Sequence, residues 1–345
     1  MQTFSSDQAV DLAEVQRSGF VESRHRGSAV VLAPDGSVAL SLGAPDELIF
    51  PRSTLKPFQA IAAMKAGAPL RGEQVAIAAA SHTGAFDHLD AVSSILKAAG
   101  LKPEHLQCPP DWPQDEDTRA WLARTERGKT RMCMNCSGKH AAFLWACVIN
   151  DWPLDSYLEP RHPLQRVVLE TFQEFSGEAP AHVGIDGCGA PLAAITLTGL
   201  ARMYSALGRA ARNIQADARA ATVATSMLDY PEYVQGRGRS NTVIMEELDV
   251  ITKLGAEGVL GLGTRDGWSV AIKMLDGSSR ANSLVGLTLL GHVGALDADD
   301  VARVLRRVLR PVTGGGRPVG AIRLAQPVAE LLDPASAADG PDALG

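Results

Sequence analysis

The chain has 345 residues, 46% of them hydrophobic and 21% charged, with a formal net charge of −6. That is enough apolar material for a sizeable core, while the scattered basic residues give no footprint for nucleic acid. No apolar run approaches the ~20 residues of a spanning helix. Residues 1–19 carry Asp7, Asp11 and Glu14 where a secretory signal would be apolar. A cytoplasmic protein acting on a small molecule is therefore expected, with neither nucleic acid nor membrane as partner.

In chain order, Gly27-Ser28-Ala29-Val30-Val31-Leu32 and Ser37-Val38-Ala39-Leu40-Ser41-Leu42 flank the turn Ala33-Pro34-Asp35-Gly36 and predict a β-hairpin. A helix is expected from about Ser53, with Pro57 in its first turn. Leu89, Val92, Ile95 and Leu96 share one face of a helix over 86–99 that stops at Gly100. Residues 101–131 are polar and read as a surface excursion where a subdomain boundary can lie. Helical patterning follows over 140–149, 163–175 and 190–206, and again from Val301 to Val308 before Pro311. Residues 258–262 and 268–274 read as an antiparallel strand pair. The expected fold class is α/β of the α+β type: an antiparallel sheet from N- and C-terminal strands, packed helices, and a helical subdomain at roughly 100–245. The tail 335–345 is expected to be mobile.

The chemistry concentrates in a few short segments. Arg52-Ser53-Thr54-Leu55-Lys56 sets a hydroxyl three residues before an amine, which a helix would place on one face. A lysine serves as base to serine only where burial or nearby positive charge lowers its pKa. A plain helix start with Ser53 as N-cap has the same pattern. Ser81-His82-Thr83-Gly84 ends an apolar run in small polar residues. Asn135-Cys136-Ser137-Gly138-Lys139-His140 packs an amide, a thiol, an amine and an imidazole into six residues, and Gly184-Ile185-Asp186-Gly187-Cys188 interleaves glycines with a carboxylate and a thiol. Five cysteines, at 108, 133, 136, 147 and 188, are too sparse for a disulfide framework and suit metal binding or burial.

Together with Val21-Glu22-Ser23-Arg24-His25-Arg26-Gly27 and Gly255-Ala256-Glu257-Gly258, these segments resemble, in order, the asparaginase II family of the Rhizobium type, over residues 18–325 as a single catalytic domain. The resemblance implies a fold like that of serine β-lactamases and bacterial glutaminases, and hydrolysis of L-asparagine to L-aspartate and ammonia. It further implies two Ser-Lys pairs, Ser53 with Lys56 and Ser81 with Lys273, and a zinc (Zn2+) site of Cys136, Lys139 and Cys188 beside the substrate. Substrate contacts are expected from Arg52, His82, Asn135, His140, Asp186 and Gly187, and the assembly is expected to be a homodimer. Asp186 suits the substrate α-amino group, and Arg52 or His82 its α-carboxylate. Which serine attacks stays open, as does the third donor set, the oxyanion donors. Gly261 stands where family members often carry a cysteine.

Three other readings remain at this stage: a glutaminase, an amino-acid sensor without turnover, and a serine enzyme acting on β-lactams. The last would add a Lys-Thr-Gly strand motif. The nearest segment, Lys253-Leu254-Gly255, has leucine at the middle position.

Overall fold

The computed structural model describes residues 1–332, so the tail expected to be mobile lies outside the described residues. Strands from both ends of the chain meet in one sheet. We number the strands β1 (Val10–Arg17), β2 (Phe20–Leu32), β3 (Val38–Leu42), β4 (Leu48–Ile49), β5 (His182–Ile185), β6 (Pro191–Thr196), β7 (Ile251–Gly255), β8 (Val259–Gly263), β9 (Ser269–Met274), β10 (Val312–Gly314) and β11 (Arg317–Leu324). The main sheet runs β10-β11-β1-β2-β9-β8-β7, every pairing antiparallel. At 13 residues β2 pairs β1 along its first half, and β3 and β9 along its second. A small sheet, β4-β6-β5, lies apart.

Side chains alternate across a strand, and here both faces are buried. Val30 and Leu32 of β2 and Ala271 of β9 join a core with the helices Lys56–Lys65, Glu73–Ala78, Phe86–Ala98, Ser137–Ile149, Pro163–Ser176, Leu197–Ala210 and Ala218–Asp229. Ala29, Val31, Val270 and Ile272 face the other way, onto Asn282–His292, Ala298–Val308 and Val328. The result is a sheet between two helical layers, in the α/β class expected.

Two local expectations give way. The helix expected over 190–206 is β6 followed by Leu197–Ala210. Pro191–Thr196 is drawn into pairing with β4 and β5, and the Thr196 hydroxyl then caps the helix by accepting from Gly199 N–H at 2.8 Å. Local helical patterning loses to tertiary pairing. The second is the Ser53 helix start. Arg52–Leu55 is a 3-10 turn and the α-helix begins at Lys56, which adopts helical geometry in front of Pro57.

Candidate active site

The helix Glu73–Ala78 ends in a segment that carries Ser81, held in place because Ser81 N–H donates to Val234 O at 3.0 Å and Thr83 N–H to Gln235 O at 2.8 Å. Two lysines converge on the Ser81 hydroxyl: Lys56 Nζ at 2.8 Å and Lys253 Nζ at 2.9 Å. Both amines are buried, at 1% and 0% exposure. Lys56 Nζ also donates to Ala80 O at 2.5 Å and Asn135 O at 3.1 Å, one acceptor for each N–H of an ammonium. Lys253 Nζ has two partners, Ser81 Oγ and Leu254 O, the latter at 2.8 Å. Burial, reinforced by the Lys56 charge, holds the Lys253 pKa well below the usual lysine range. A lysine of that kind can act as a neutral base.

Ser53 lies in the turn that leads into Lys56, but Lys56 Nζ spends its three contacts on Ala80 O, Ser81 Oγ and Asn135 O, so the expected Ser53–Lys56 pair is not a direct hydrogen bond. The Ser53 hydroxyl makes no hydrogen bond among the described residues, and it is partly exposed. Gly255, at the end of β7, abuts this turn: a Cβ there would lie 2.7 Å from Pro51 O. Arg52 adopts φ +56°, a left-handed conformation that costs energy for a residue with a side chain. That geometry directs its guanidinium to Asp186, with Nε 2.8 Å from Oδ1, while Gly187 N–H donates to the same oxygen at 2.9 Å. Glu257 lies 3.9 Å from the other side of the guanidinium. Charges of both signs thus meet around the Arg52 side chain.

The third group is sulfur-rich. Lys139 Nζ is 3.1 Å from Cys188 Sγ, and Lys139, Cys136 and Cys188 are all buried. The Cys136 S–H lies 3.0 Å from Asn135 Oδ1. The neighbouring Cys136, with Lys139 and His140, outweighs burial and lowers the Cys188 pKa, while Cys188 and burial push Cys136 up. Burial opposes the Lys139 charge, but the Cys188 and Cys136 sulfurs and Asp186 prevail and raise its pKa. Two soft sulfurs and an amine are the donor types zinc accepts, provided Lys139 gives up its proton. Among the described residues no three His, Cys, Asp or Glu side chains converge as a metal set, so such a site depends on this lysine.

The other expected residues fall as follows. His82 is buried at 1% exposure, and its Nε2 donates to Ser137 Oγ at 2.9 Å, since Ser137 spends its own proton on Met132 O. Burial, then His88 and Lys56, keep its pKa well below the usual histidine range, so this neutral imidazole is no anchor for a carboxylate. His140 is likewise buried, Nδ1 2.6 Å from the Tyr157 hydroxyl, and it helps to lower the Cys188 pKa. Asn135 takes part through its backbone carbonyl.

The expected pairing of Ser81 with Lys273 is not the one the fold makes. Register explains why. Lys253 pairs with Gly261 and Gly261 with Ala271, whereas Lys273 pairs with Val259 and Val259 with Gly255. Both lysines face the same side of the sheet, but two inter-strand spacings and two residues separate them, roughly 12 Å at standard spacings. Lys273 Nζ donates instead to Glu257 O at 2.5 Å and Met274 O at 2.9 Å. It lines a cleft of about 320 Å³ with Arg52, Glu257, Phe50 and Ile185. Lys253 was visible in sequence as an incomplete Lys-Thr-Gly motif. Tyr204, whose hydroxyl donates to Thr54 O at 2.8 Å and so braces the Ser53 turn, carried no signal at all.

The family described as L-asparaginase II matches residues 13–324, nearly the whole chain. The chain belongs to this family. Among curated proteins none matches the chain. Similar solved structures include Mglu in its glutamate form, 15% identical with a TM-score of 0.36 over 83% of this chain and 66% of that one. Mglu in its native form is 16% identical, with a TM-score of 0.35 over 81% and 63%. The chain spans just under two thirds of the length of these solved proteins. No helix of the described residues is long and apolar enough to cross a membrane.

Proposed function

We propose that the chain is an L-asparaginase, cytoplasmic and dimeric, that hydrolyses the side-chain amide of L-asparagine to L-aspartate and ammonia by way of a serine ester. The observation that carries the reading is the Ser81 hydroxyl held between two buried lysines, one of which, Lys56, follows the Ser53 turn directly in the chain. With Lys56 donating to Ser81 Oγ as an ammonium and Lys253 neutral, the Ser81 hydroxyl donates to the Lys253 lone pair across the 2.9 Å contact. Ser53, with no such commitments, is the nucleophile.

In this scheme Ser53 Oγ attacks the amide carbon, and its proton passes through the Lys56–Ser81 contact to the neutral amine of Lys253. Collapse of the tetrahedral intermediate breaks the C–N bond, and the same proton returns through Ser81 to the departing nitrogen, so ammonia leaves neutral. Water then attacks the aspartyl ester, delivering one proton to the same relay and taking Ser53 back to its hydroxyl form. Backbone N–H groups of the Ser53 turn receive the oxyanion in this scheme. Asp186 binds the substrate ammonium, and Arg52, drawn to Asp186 in the free enzyme, binds the α-carboxylate.

Cys136, Lys139 and Cys188 would hold zinc with one position open, and bound zinc would supply a Lewis-acid contact that orients the substrate. These residues otherwise shape the wall of the pocket beside Asp186.

The test is acid-quenched turnover followed by mass spectrometry. An aspartyl ester on the Ser53 peptide is expected, with Ser53→Ala slower by at least ~10³-fold. An ester on Ser81, or near-normal turnover by folded Ser53→Ala, overturns the assignment. Because Lys253 stands where a Lys-Thr-Gly lysine would, a β-lactam and glutamine belong in the same assay. Release of ammonia from glutamine alone, or opening of the β-lactam alone, would replace asparagine as the substrate.

A further inference from the structure

A second cavity of about 460 Å³ lies beyond β7, lined in part by Arg239, Arg280, Arg307 and Arg310. We propose that it binds a small phosphate-bearing anion with at least two negative charges, separately from the hydrolytic site.

Charge is the first argument. The chain is acidic overall, at −6, yet four guanidinium groups share this cavity and no carboxylate lines it. Arg307 is ion-paired with Glu247, while Arg239, Arg280 and Arg310 form no ion pair among the described residues. Three like charges around one concavity repel unless an anion offsets them, and arginine's planar fork matches phosphate oxygens two at a time. Ser240, Ser279 and Ser283 add hydroxyl donors to the wall. The volume is in the range of small-molecule sites.

Position is the second. Leu254 lines this cavity, while its neighbour Lys253 points through the opposite face of the sheet to Ser81. Leu254 N–H donates to Asn241 Oδ1 at 3.2 Å, and Asn241 follows the wall residue Ser240. The arginines come from three separate segments, 239–240, 279–283 and 307–311, so an anion here would tie the C-terminal helical layer to the edge strand that carries Lys253.

The experiment is isothermal titration calorimetry of the full chain with pyrophosphate at low ionic strength, alongside inorganic phosphate, ATP and citrate. One pyrophosphate per chain is expected, with affinity falling as sodium chloride rises. The charge-reversed pair Arg280→Glu and Arg310→Glu should weaken binding at least ~10-fold, equal to one charge-assisted contact, while turnover of asparagine without added anion stays unchanged. Tighter binding of ATP than pyrophosphate identifies a nucleotide as the natural occupant, and the reverse a free phosphate. Absence of binding, binding unaffected by the double variant, or citrate equalling pyrophosphate overturns the proposal. Arg239→Gln gives the same reading should the double variant fail to fold.

Discussion

Lys253 Nζ lies 2.9 Å from Ser81 Oγ, although 172 residues separate the two in the chain. The amine has lost its contact with water and faces the Lys56 charge, so it is shaped to work without a proton. This pair, not Ser81 with Lys273, is the contact the fold makes, and the proposed proton relay rests on it.

Lys253→Met should therefore lower kcat by at least ~10²-fold, the scale of a lost general base, while Lys273→Met should act mainly on KM. A pKa depressed in the folded state means that the unfolded chain binds more protons between the two values, so native stability rises with pH across that window. Lys253→Met removes this cost at neutral pH. Its melting temperature should exceed that of the native enzyme by at least ~2 °C at pH 7, with the difference shrinking towards pH 10. Activity of the native enzyme should fall as pH drops through the Lys253 pKa. A Lys253→Met enzyme with normal kcat would end the role assigned to it.

Metal content separates the sulfur cluster from ordinary packing. Purified protein should hold about one zinc per chain at slightly alkaline pH, and Cys136→Ser or Cys188→Ser should lose it. Because Cys188 and its neighbours raise the Lys139 pKa, the metal must displace a proton, and affinity should fall as pH drops. Elemental analysis of protein purified without chelators decides the matter: metal retained by Cys136→Ser would rule this site out.

Specificity should follow from the Arg52–Asp186 pair. With both α-groups of the substrate held on fixed charges, an added methylene shifts the reacting carbon by about one bond, and shifts on the order of 1 Å can cost ~10²-fold in rate. The kcat/KM for glutamine should be at least ~10²-fold below that for asparagine. Asp186→Ala should depress both, since they share the α-amino anchor and Arg52 is left without its partner. Steady-state kinetics on the two amides would show equal turnover if the pocket were looser than this.

Gly261 leaves no room for the cysteine its relatives often carry. A Cβ there would lie 2.2 Å from the Tyr204 ring, whose hydroxyl donates to Thr54 O in the Ser53 turn. Gly261→Ala should destabilise the fold by about 1–3 kcal/mol and lower kcat by displacing that turn. Tyr204→Phe keeps the ring and removes only the hydrogen bond, worth ~1 kcal/mol, so its effect on stability should be smaller. Thermal denaturation and kcat of the two variants, compared directly, test the link from β8 to Ser53.

Some features were legible in the residues alone because they depend on neighbours in the chain. The β2–β3 hairpin follows from its turn chemistry, the helix Phe86–Ala98 from its apolar spacing and terminal glycine, and the strand pair β8–β9 from alternating runs. The ordered motifs were enough for the family, and the three-residue spacing of Ser53 and Lys56 marked them as a pair to examine. Tertiary structure alone decided which lysine reaches Ser81. Lys253 and Lys273 both sit on buried strands in apolar contexts, and only the register of β7, β8 and β9 carries one to the hydroxyl and the other to Glu257. Tyr204 and the arginine cavity were invisible for the same reason: each is a meeting of segments far apart in sequence, and no local pattern records which surfaces a sheet and two helical layers bring together.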